Sequence, residues 1–177
     1  NEVLSERALR EIYLKVFEVA VKSGYVRAIM TSYNRINGIS AAGSYDLTTS
    51  ILREEWGYDG MVMSDWWPQI DNKARTSHDG KNLAEMVKAQ NDVYMVVPDA
   101  TTYEDNLSES LKTGFLTVGE LQRCVKNILQ FSMNTLAFKS GRVTDFDDFS
   151  KATKLVCRVP LDGVPFEEFT KDDVYLY

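Results

Sequence analysis

Short apolar runs alternate with amphipathic helical patterns along the first 138 residues, and this alternation restricts the fold more than any other feature of the chain. Apolar side chains at helical spacing predict helices, and short apolar runs between turn residues predict buried strands. The predicted helices are 5–22, 44–56, 82–90, 103–113 and 117–137, and the predicted strands are 26–33, 60–65 and 92–97. Helices between successive strands favour right-handed crossovers, so we expect an α/β fold with parallel strands.

Two parallel architectures fit this order of elements, a piece of a (β/α)8 barrel and a small doubly wound sheet. Three strands cannot close a barrel, and an open three-stranded sheet leaves its edges and part of a face uncovered. A barrel piece should therefore need a partner chain or a missing segment, whereas a doubly wound binding domain should be stable and monomeric alone. Residues 139–177, behind the last helix, form a polar, acidic extension.

Local signals place the ends of several helices. Ser5 is the predicted N-cap of the first helix, Gly57 follows the second, and Thr117 with Glu120 predicts a capping box on the last. The segments 34–44 and 68–80 are predicted to be loops. The first helix is predicted to be amphipathic, with an apolar stripe formed by Leu9, Ile12, Tyr13, Val16, Phe17 and Ala20.

Charge and composition exclude several classes of function. The net charge is -6, the pI is about 4.9, and Lys and Arg form no basic block, so nucleic acid and anionic membranes are not expected partners. No apolar run approaches the roughly 20 residues that span a bilayer. Cys124, Cys157 and the single His78 form no metal or disulfide pattern, and no glycine motif predicts a nucleotide site, so we predict no cofactor and a solvated His78.

The segment 58–67, YDGMVMSDWW, contains the first candidate for chemistry. Its apolar run stops at Asp65, and an acid at the end of a buried strand needs partners that keep it ionised. A cap or turn role for this Asp is the alternative explanation. Trp66 and Trp67 offer flat faces that suit either the apolar face of a sugar ring or a wedge in the core.

Polar groups follow all three predicted strands, namely Tyr33, Asp65 and Asp99. In parallel α/β folds the carboxyl ends of the strands form the ligand side, so these groups should converge there. The phenol of Tyr33 could hydrogen-bond to Asp65 on the adjacent strand and hold it ionised.

Four stretches resemble, in order and spacing, the second half of the catalytic barrel of glycoside hydrolase family 3, the family of many β-glucosidases. They are SERALREIYLKVFEVAVKSG, AIMTSYNRING, LTTSILREEWGYDGMVMSDWW and AQNDVYMVV, and together they cover about residues 3–98. The resemblance implies that residues 1–138 contain the last strands and helices of a (β/α)8, TIM-like barrel. Residues 139–177 would then be a C-terminal extension.

The resemblance also implies roles for individual residues. Asp65 corresponds to the catalytic nucleophile, Tyr33 lies by that nucleophile and the sugar, Trp66 walls the subsite of the non-reducing sugar, and Met30 lines it. The implied reaction is retaining hydrolysis of a terminal β-glucoside or a short β-linked oligosaccharide. A β-xylosidase, or an inactive sugar-binding or structural relative, is the alternative.

Several parts of the family's site have no counterpart in this chain. The Lys-His motif, an Arg, an upstream Asp and the general acid/base Glu are all missing, and a retaining site needs two carboxyls about 5–5.5 Å apart. We therefore expect no turnover by the chain alone. Its expected partner is the remainder of the enzyme, comprising the rest of the barrel and a sandwich domain, as a separate chain or after proteolysis. A homo-oligomer stays open, as does a cytoplasmic, secreted or periplasmic location.

Overall fold

The computed structural model of the chain describes residues 1–72, 75–95 and 103–135. Asp99, Cys157 and the predicted extension 139–177 lie outside the described residues. The described residues contain seven strands: β1 (Ala28–Met30), β2 (Arg35–Ile36), β3 (Ile39–Ser40), β4 (Met61–Trp66), β5 (Ile70–Asp71), β6 (His78–Asp79) and β7 (Val93–Met95). The α-helices are α1 (Glu6–Ala8), α2 (Lys15–Lys22), α3 (Leu83–Lys88), α4 (Leu107–Lys112) and α5 (Val118–Met133). The same described residues also form two π-helices, Leu9–Tyr13 and Asp46–Glu55, and a 3-10 turn, Ala41–Gly43.

A three-stranded parallel sheet in the order β1-β4-β7 forms the centre of the fold. Met63 of β4 pairs with Met30 of β1 on one side and with Val93 of β7 on the other. The predicted parallel α/β arrangement is therefore confirmed. The first strand is shorter than predicted, because the backbone after Met30 leaves the sheet within a few residues.

Two short antiparallel pairs replace segments that were predicted to be loops. β2 pairs with β3 around Asn37 and Gly38, whose φ angles of 52° and 84° are the two positive values of a type I′ hairpin turn. β5 pairs with β6 within the segment 68–80. Both pairs follow a parallel strand at its carboxyl end, so they shape the rim of the sheet there.

The predicted helix ends agree with the structure. The Ser5 hydroxyl accepts a hydrogen bond from the backbone of Ala8 (3.1 Å), and Gly57 has a φ of 72° directly after the second helix. Thr117 and Glu120 form the complete capping box of α5. In the described part of the chain, no helix is both long enough and apolar enough to cross a membrane.

Apolar side chains pack on one face of the parallel sheet. Ile29 and Val62 contact a cluster with Val21 and Leu52, which come from the first two helical segments. A larger cluster packs α3, α4 and α5 around Tyr94 of β7. Because side chains alternate along a strand, the neighbours Met30, Met63 and Asp65 lie on the opposite face.

Most of the apolar stripe of the first helix is exposed. Leu9 is buried, but Ile12, Tyr13, Val16 and Phe17 are each more than half exposed. The helix instead places Val21 in the core. The periodicity predicted the helix correctly, but within the described residues this stripe has no apolar surface to cover it.

Candidate active site

Asp65 lies at the carboxyl end of β4, and both neighbouring strands fix its backbone. Its N–H donates to the Thr31 carbonyl (3.1 Å) after β1, while the Ser64 hydroxyl accepts from the backbone of Met95 in β7 (2.8 Å). The Asp65 Oδ1 atom accepts a hydrogen bond from the backbone N–H of Trp66 (2.7 Å). The half-buried carboxylate is therefore held by its own strand end and stays open to a ligand.

Tyr33 lies beside Asp65, and the two side chains interact. The pKa of the Tyr33 phenol is raised by desolvation first, and then by the negative charge of Asp65 and a hydrogen bond to it; a hydrogen bond with the Trp66 backbone acts in the opposite direction. A raised pKa keeps the phenol protonated, so Tyr33 can donate its proton in a hydrogen bond to the carboxylate at neutral pH. The ring is 56% exposed and thus open to a ligand.

Two exposed indoles follow Asp65. The rings of Trp66 and Trp67 meet edge to face, with centroids 5.4 Å apart and planes at 62°. Trp67 has a φ of 48°, a left-handed conformation that is rare for a bulky residue. Its backbone N–H donates to the Met95 carbonyl. These contacts give the two aromatic faces a defined orientation next to the carboxylate.

Met30 completes the set of predicted site residues. It ends β1 in register with Met63, two positions before Asp65 on β4, and lies on the same face of the sheet as that carboxylate. Its side chain is 55% exposed. The structure thus brings all four predicted residues, Met30, Tyr33, Asp65 and Trp66, to the carboxyl ends of β1 and β4.

A polar cluster next to these residues escaped the sequence analysis. The buried carboxylate of Asp71 accepts hydrogen bonds from Arg35 Nη2 (2.7 Å), and from the backbone N–H of Ser40 (2.8 Å). His78 Nδ1 lies 3.1 Å from the same carboxylate, so the expectation of a solvated histidine is wrong. The Asn-Gly turn signal could have revealed the hairpin that carries Arg35. Among residues 1–72, 75–95 and 103–135, no three His, Cys, Asp or Glu side chains gather as metal ligands would.

A second buried carboxylate, Asp92, lies at the opposite, amino end of the sheet. It accepts hydrogen bonds from Arg53 Nη2 (2.8 Å), the Val62 backbone (2.9 Å) and Asn127 (2.8 Å). Desolvation raises its pKa, and these three partners oppose the shift. All of its acceptor positions face inward, so this carboxylate supports the fold.

Residues 2–131 match the sequence family described as the glycosyl hydrolase family 3 N terminal domain. The chain belongs to this family. A β-glucosidase from Ruminococcus albus is 52% identical over 137 residues, which are 77% of this chain and 14% of that protein. An exo-α-(1→6)-L-arabinopyranosidase from Bifidobacterium longum is 38% identical over 137 residues, again 77% of this chain and 16% of that protein.

The solved structure of a β-glucosidase from Paenibacillus barengoltzii superposes with a TM-score of 0.72 at 54% identity. That likeness covers 76% of this chain and 15% of the Paenibacillus chain. The resemblance to glycosyl hydrolase family 3 drawn from the sequence is therefore confirmed. The chain spans about one seventh of the length of these family members, and it covers the part that contains the parallel strands described above.

Proposed function

We propose that this chain is the nucleophile-bearing segment of a retaining exo-β-glycosidase that removes terminal β-D-glucosyl residues. The observation that carries this proposal is the position of the Asp65 carboxylate, beside Tyr33, at the carboxyl end of a parallel sheet in a member of glycosyl hydrolase family 3. Ligand sites in parallel α/β folds lie at this end of the strands. The Ruminococcus and Paenibacillus relatives named β-glucosidases support glucose as the sugar.

In the proposed reaction Asp65 acts as the nucleophile. One carboxylate oxygen bonds to the anomeric carbon while the bond from that carbon to the aglycone oxygen breaks, and a general acid protonates the departing oxygen. Water then attacks the glycosyl-enzyme, and the same acid/base group takes its proton as Asp65 is released. The two displacements together retain the configuration of the sugar.

The neighbouring side chains have positioning roles in this proposal. Tyr33 directs Asp65 at the sugar, because a phenol beside a carboxylate can donate a hydrogen bond that fixes the orientation of its oxygen atoms. Trp66 forms one wall of the subsite for the non-reducing sugar, and Met30 lines it. The exposed indole and thioether present apolar surface that suits the C–H face of a pyranose.

The general acid/base is proposed to come from outside this chain, together with the rest of a (β/α)8 barrel. Met30, on the sheet face that carries Asp65, is more than half exposed, and the apolar stripe around Ile12 and Phe17 is exposed. Both surfaces fit a partial barrel, residues 1–138, whose missing strands and helices cover them. Residues 139–177 would extend from that barrel portion.

A pentopyranoside is the second candidate substrate. The Bifidobacterium longum relative matches 77% of this chain, yet its name describes an arabinopyranosidase. A segment of this kind is therefore compatible with sugars that lack the hydroxymethyl group of glucose, including the β-xylosides predicted from the sequence. Comparing kcat/KM for aryl β-glucosides, β-xylosides and α-L-arabinopyranosides in the full-length enzyme that contains this chain separates these substrates.

Trapping of the covalent intermediate tests the assignment of the nucleophile. The full-length enzyme is incubated with an activated 2-deoxy-2-fluoro-β-glucoside, digested, and analysed by mass spectrometry. We expect a fluoroglucosyl adduct on Asp65, because the fluorine slows both displacements while the activated leaving group keeps the first one fast, so the glycosyl-enzyme accumulates. An adduct on any other residue would refute the proposed role of Asp65.

A further inference from the structure

The carboxylate of Asp71 connects two loops at the rim of the sheet. Its Oδ1 accepts from Arg35 Nη2 (2.7 Å) and lies 3.1 Å from His78 Nδ1, and its Oδ2 accepts from the Ser40 backbone (2.8 Å). The side chain is only 8% exposed. A carboxylate this buried is tolerated when it is paired, so the fold depends on the contact between Asp71 and Arg35.

The two loops joined by Asp71 are the ones that carry the proposed site. Arg35 follows Tyr33 by two positions on the chain leaving β1, and Asp71 follows Asp65 by six positions on the chain leaving β4. The guanidinium also donates to the Gly38 carbonyl (2.9 Å), so it ties the turn of the hairpin to the same carboxylate. Any movement of the hairpin away from Asp71 therefore moves the backbone of Tyr33.

The two sides of this connection are held by different parts of the chain. β5 is anchored, because Ile70 is fully buried and its carbonyl accepts a hydrogen bond from the Asn82 side chain (2.7 Å). The β2–β3 hairpin has only two residues in each strand and a two-residue turn. An isolated hairpin of this size is marginal at best, so its position depends on what it binds. It is bound by Asp71 on one side and by the N-terminal residues Glu2 and Leu4 on the other.

We propose that Asp71 is a positioning residue of the site: by binding Arg35 and Ser40 it holds the β2–β3 hairpin against β5 and thereby keeps Tyr33 beside Asp65. This inference rests on the proposed function for its catalytic consequence, but the placement of Tyr33 can be measured without catalysis. Asp71 does not contact substrate in this scheme. It acts through the backbone that connects Arg35 to Tyr33.

The direct test replaces Asp71 by Asn in the full-length enzyme and measures kcat and KM for an aryl β-glucoside. Misplacement of a catalytic group by about 1 Å can cost about 100-fold in rate, so we expect kcat to fall about 10- to 100-fold with a smaller change in KM. Asp59→Asn is the matched control, because Asp59 is 84% exposed at the other end of the sheet. It should leave kcat unchanged.

A double variant separates positioning from simple loss of stability. Asp71→Asn alone leaves Arg35 without its carboxylate, whereas Arg35→Met combined with Asp71→Asn removes both charges and should restore part of the lost Tm. If Asp71 positions Tyr33, kcat stays low in the double variant although Tm recovers. Recovery of kcat together with Tm would overturn the proposal.

The ionisation of Tyr33 gives a readout that does not depend on turnover. In protein labelled with 13C at the tyrosine ring, the Tyr33 signal is assigned from a Tyr33→Phe variant and titrated with pH. We expect its pKa to move from a raised value toward the ordinary value of about 10 in Asp71→Asn and to stay raised in Asp59→Asn. An unchanged Tyr33 pKa in Asp71→Asn refutes the positioning role. Full activity of an Asp65→Asn variant would refute the proposed function instead.

Discussion

The two ends of the parallel sheet each carry an aspartate, and the two carboxylates have opposite environments. Asp92, at the amino end, has no exposed side-chain surface, and it is paired with Arg53, whose side chain is 9% exposed. Asp65, at the carboxyl end, is half-buried next to exposed aromatic rings and contacts Tyr33. Fully paired groups at the amino end are typical of stability, and open groups at the carboxyl end are typical of chemistry.

This comparison shows that burial of a carboxylate is not by itself a sign of function. Desolvation raises the pKa of Asp92, yet every partner of this group belongs to the fold. The Asp65 carboxylate accepts fewer hydrogen bonds from the protein than Asp92 does, but a ligand can reach it. The predictions below ask whether activity and stability separate between the two ends of the sheet.

The largest effect should follow from replacing Asp65 by Asn. The amide keeps the shape of the side chain but cannot act as the nucleophile, so we expect kcat for an aryl β-glucoside to fall by at least about 1,000-fold. The free energy of unfolding should change by no more than about 0.5 kcal/mol, because the side chain is not part of the packed core. Undiminished hydrolysis would contradict the proposed reaction.

Replacing Asp92 by Asn should have the opposite consequence. Removing one partner of a buried ion pair leaves Arg53 uncompensated and costs about 3–5 kcal/mol of unfolding free energy. Denaturant unfolding of the full-length enzyme measures this loss, with the exposed Asp59→Asn variant as the control. The kcat per folded molecule should match the parent. If Asp92→Asn lowered kcat without lowering the free energy of unfolding, the assignment of stability to the amino end and of chemistry to the carboxyl end would be wrong.

Much of the fold could be predicted because its signals are local. The apolar run before Asp65, the alternation of helices and strands, and the capping box of Thr117 and Glu120 each lie within a few neighbouring residues. The rule that strand ends converge in parallel folds then brought Tyr33 and Asp65 to one edge of the sheet. Their placement follows from this rule, and their catalytic roles stay proposals.

The features that were missed depend on contacts between distant parts of the chain. Arg35 and Asp71 are 36 positions apart, and neither has a neighbour at helical or strand spacing that marks it. The exposure of the stripe around Ile12 could not be predicted either, because periodicity reports that a face is apolar and does not report which surface covers it. Burial of an apolar face was therefore predictable only where the described residues also include the element that covers it.

A smaller effect at the carboxyl end should follow from Tyr33→Phe. This change removes one hydrogen bond to a charged group, which corresponds to about 10- to 100-fold in kcat/KM. The residual activity should exceed that of Asp65→Asn, because the nucleophile is still present. Steady-state kinetics of the two variants at pH 7 test this order. A Tyr33→Phe variant as inactive as Asp65→Asn would give the phenol a direct part in the reaction.

The pH dependence of Tyr33 gives the smallest and most specific effect. Because its pKa is raised in the folded protein, the neutral phenol favours the folded state below the ordinary tyrosine pKa of about 10, and this contribution is lost as the pH rises through the folded value. The difference in Tm between the parent and Tyr33→Phe should therefore be constant up to about pH 10 and shrink above it. A parent-to-variant difference that instead grows above pH 10 would mean that the phenolate is the form stabilised beside Asp65, which is incompatible with a phenol that donates to the carboxylate.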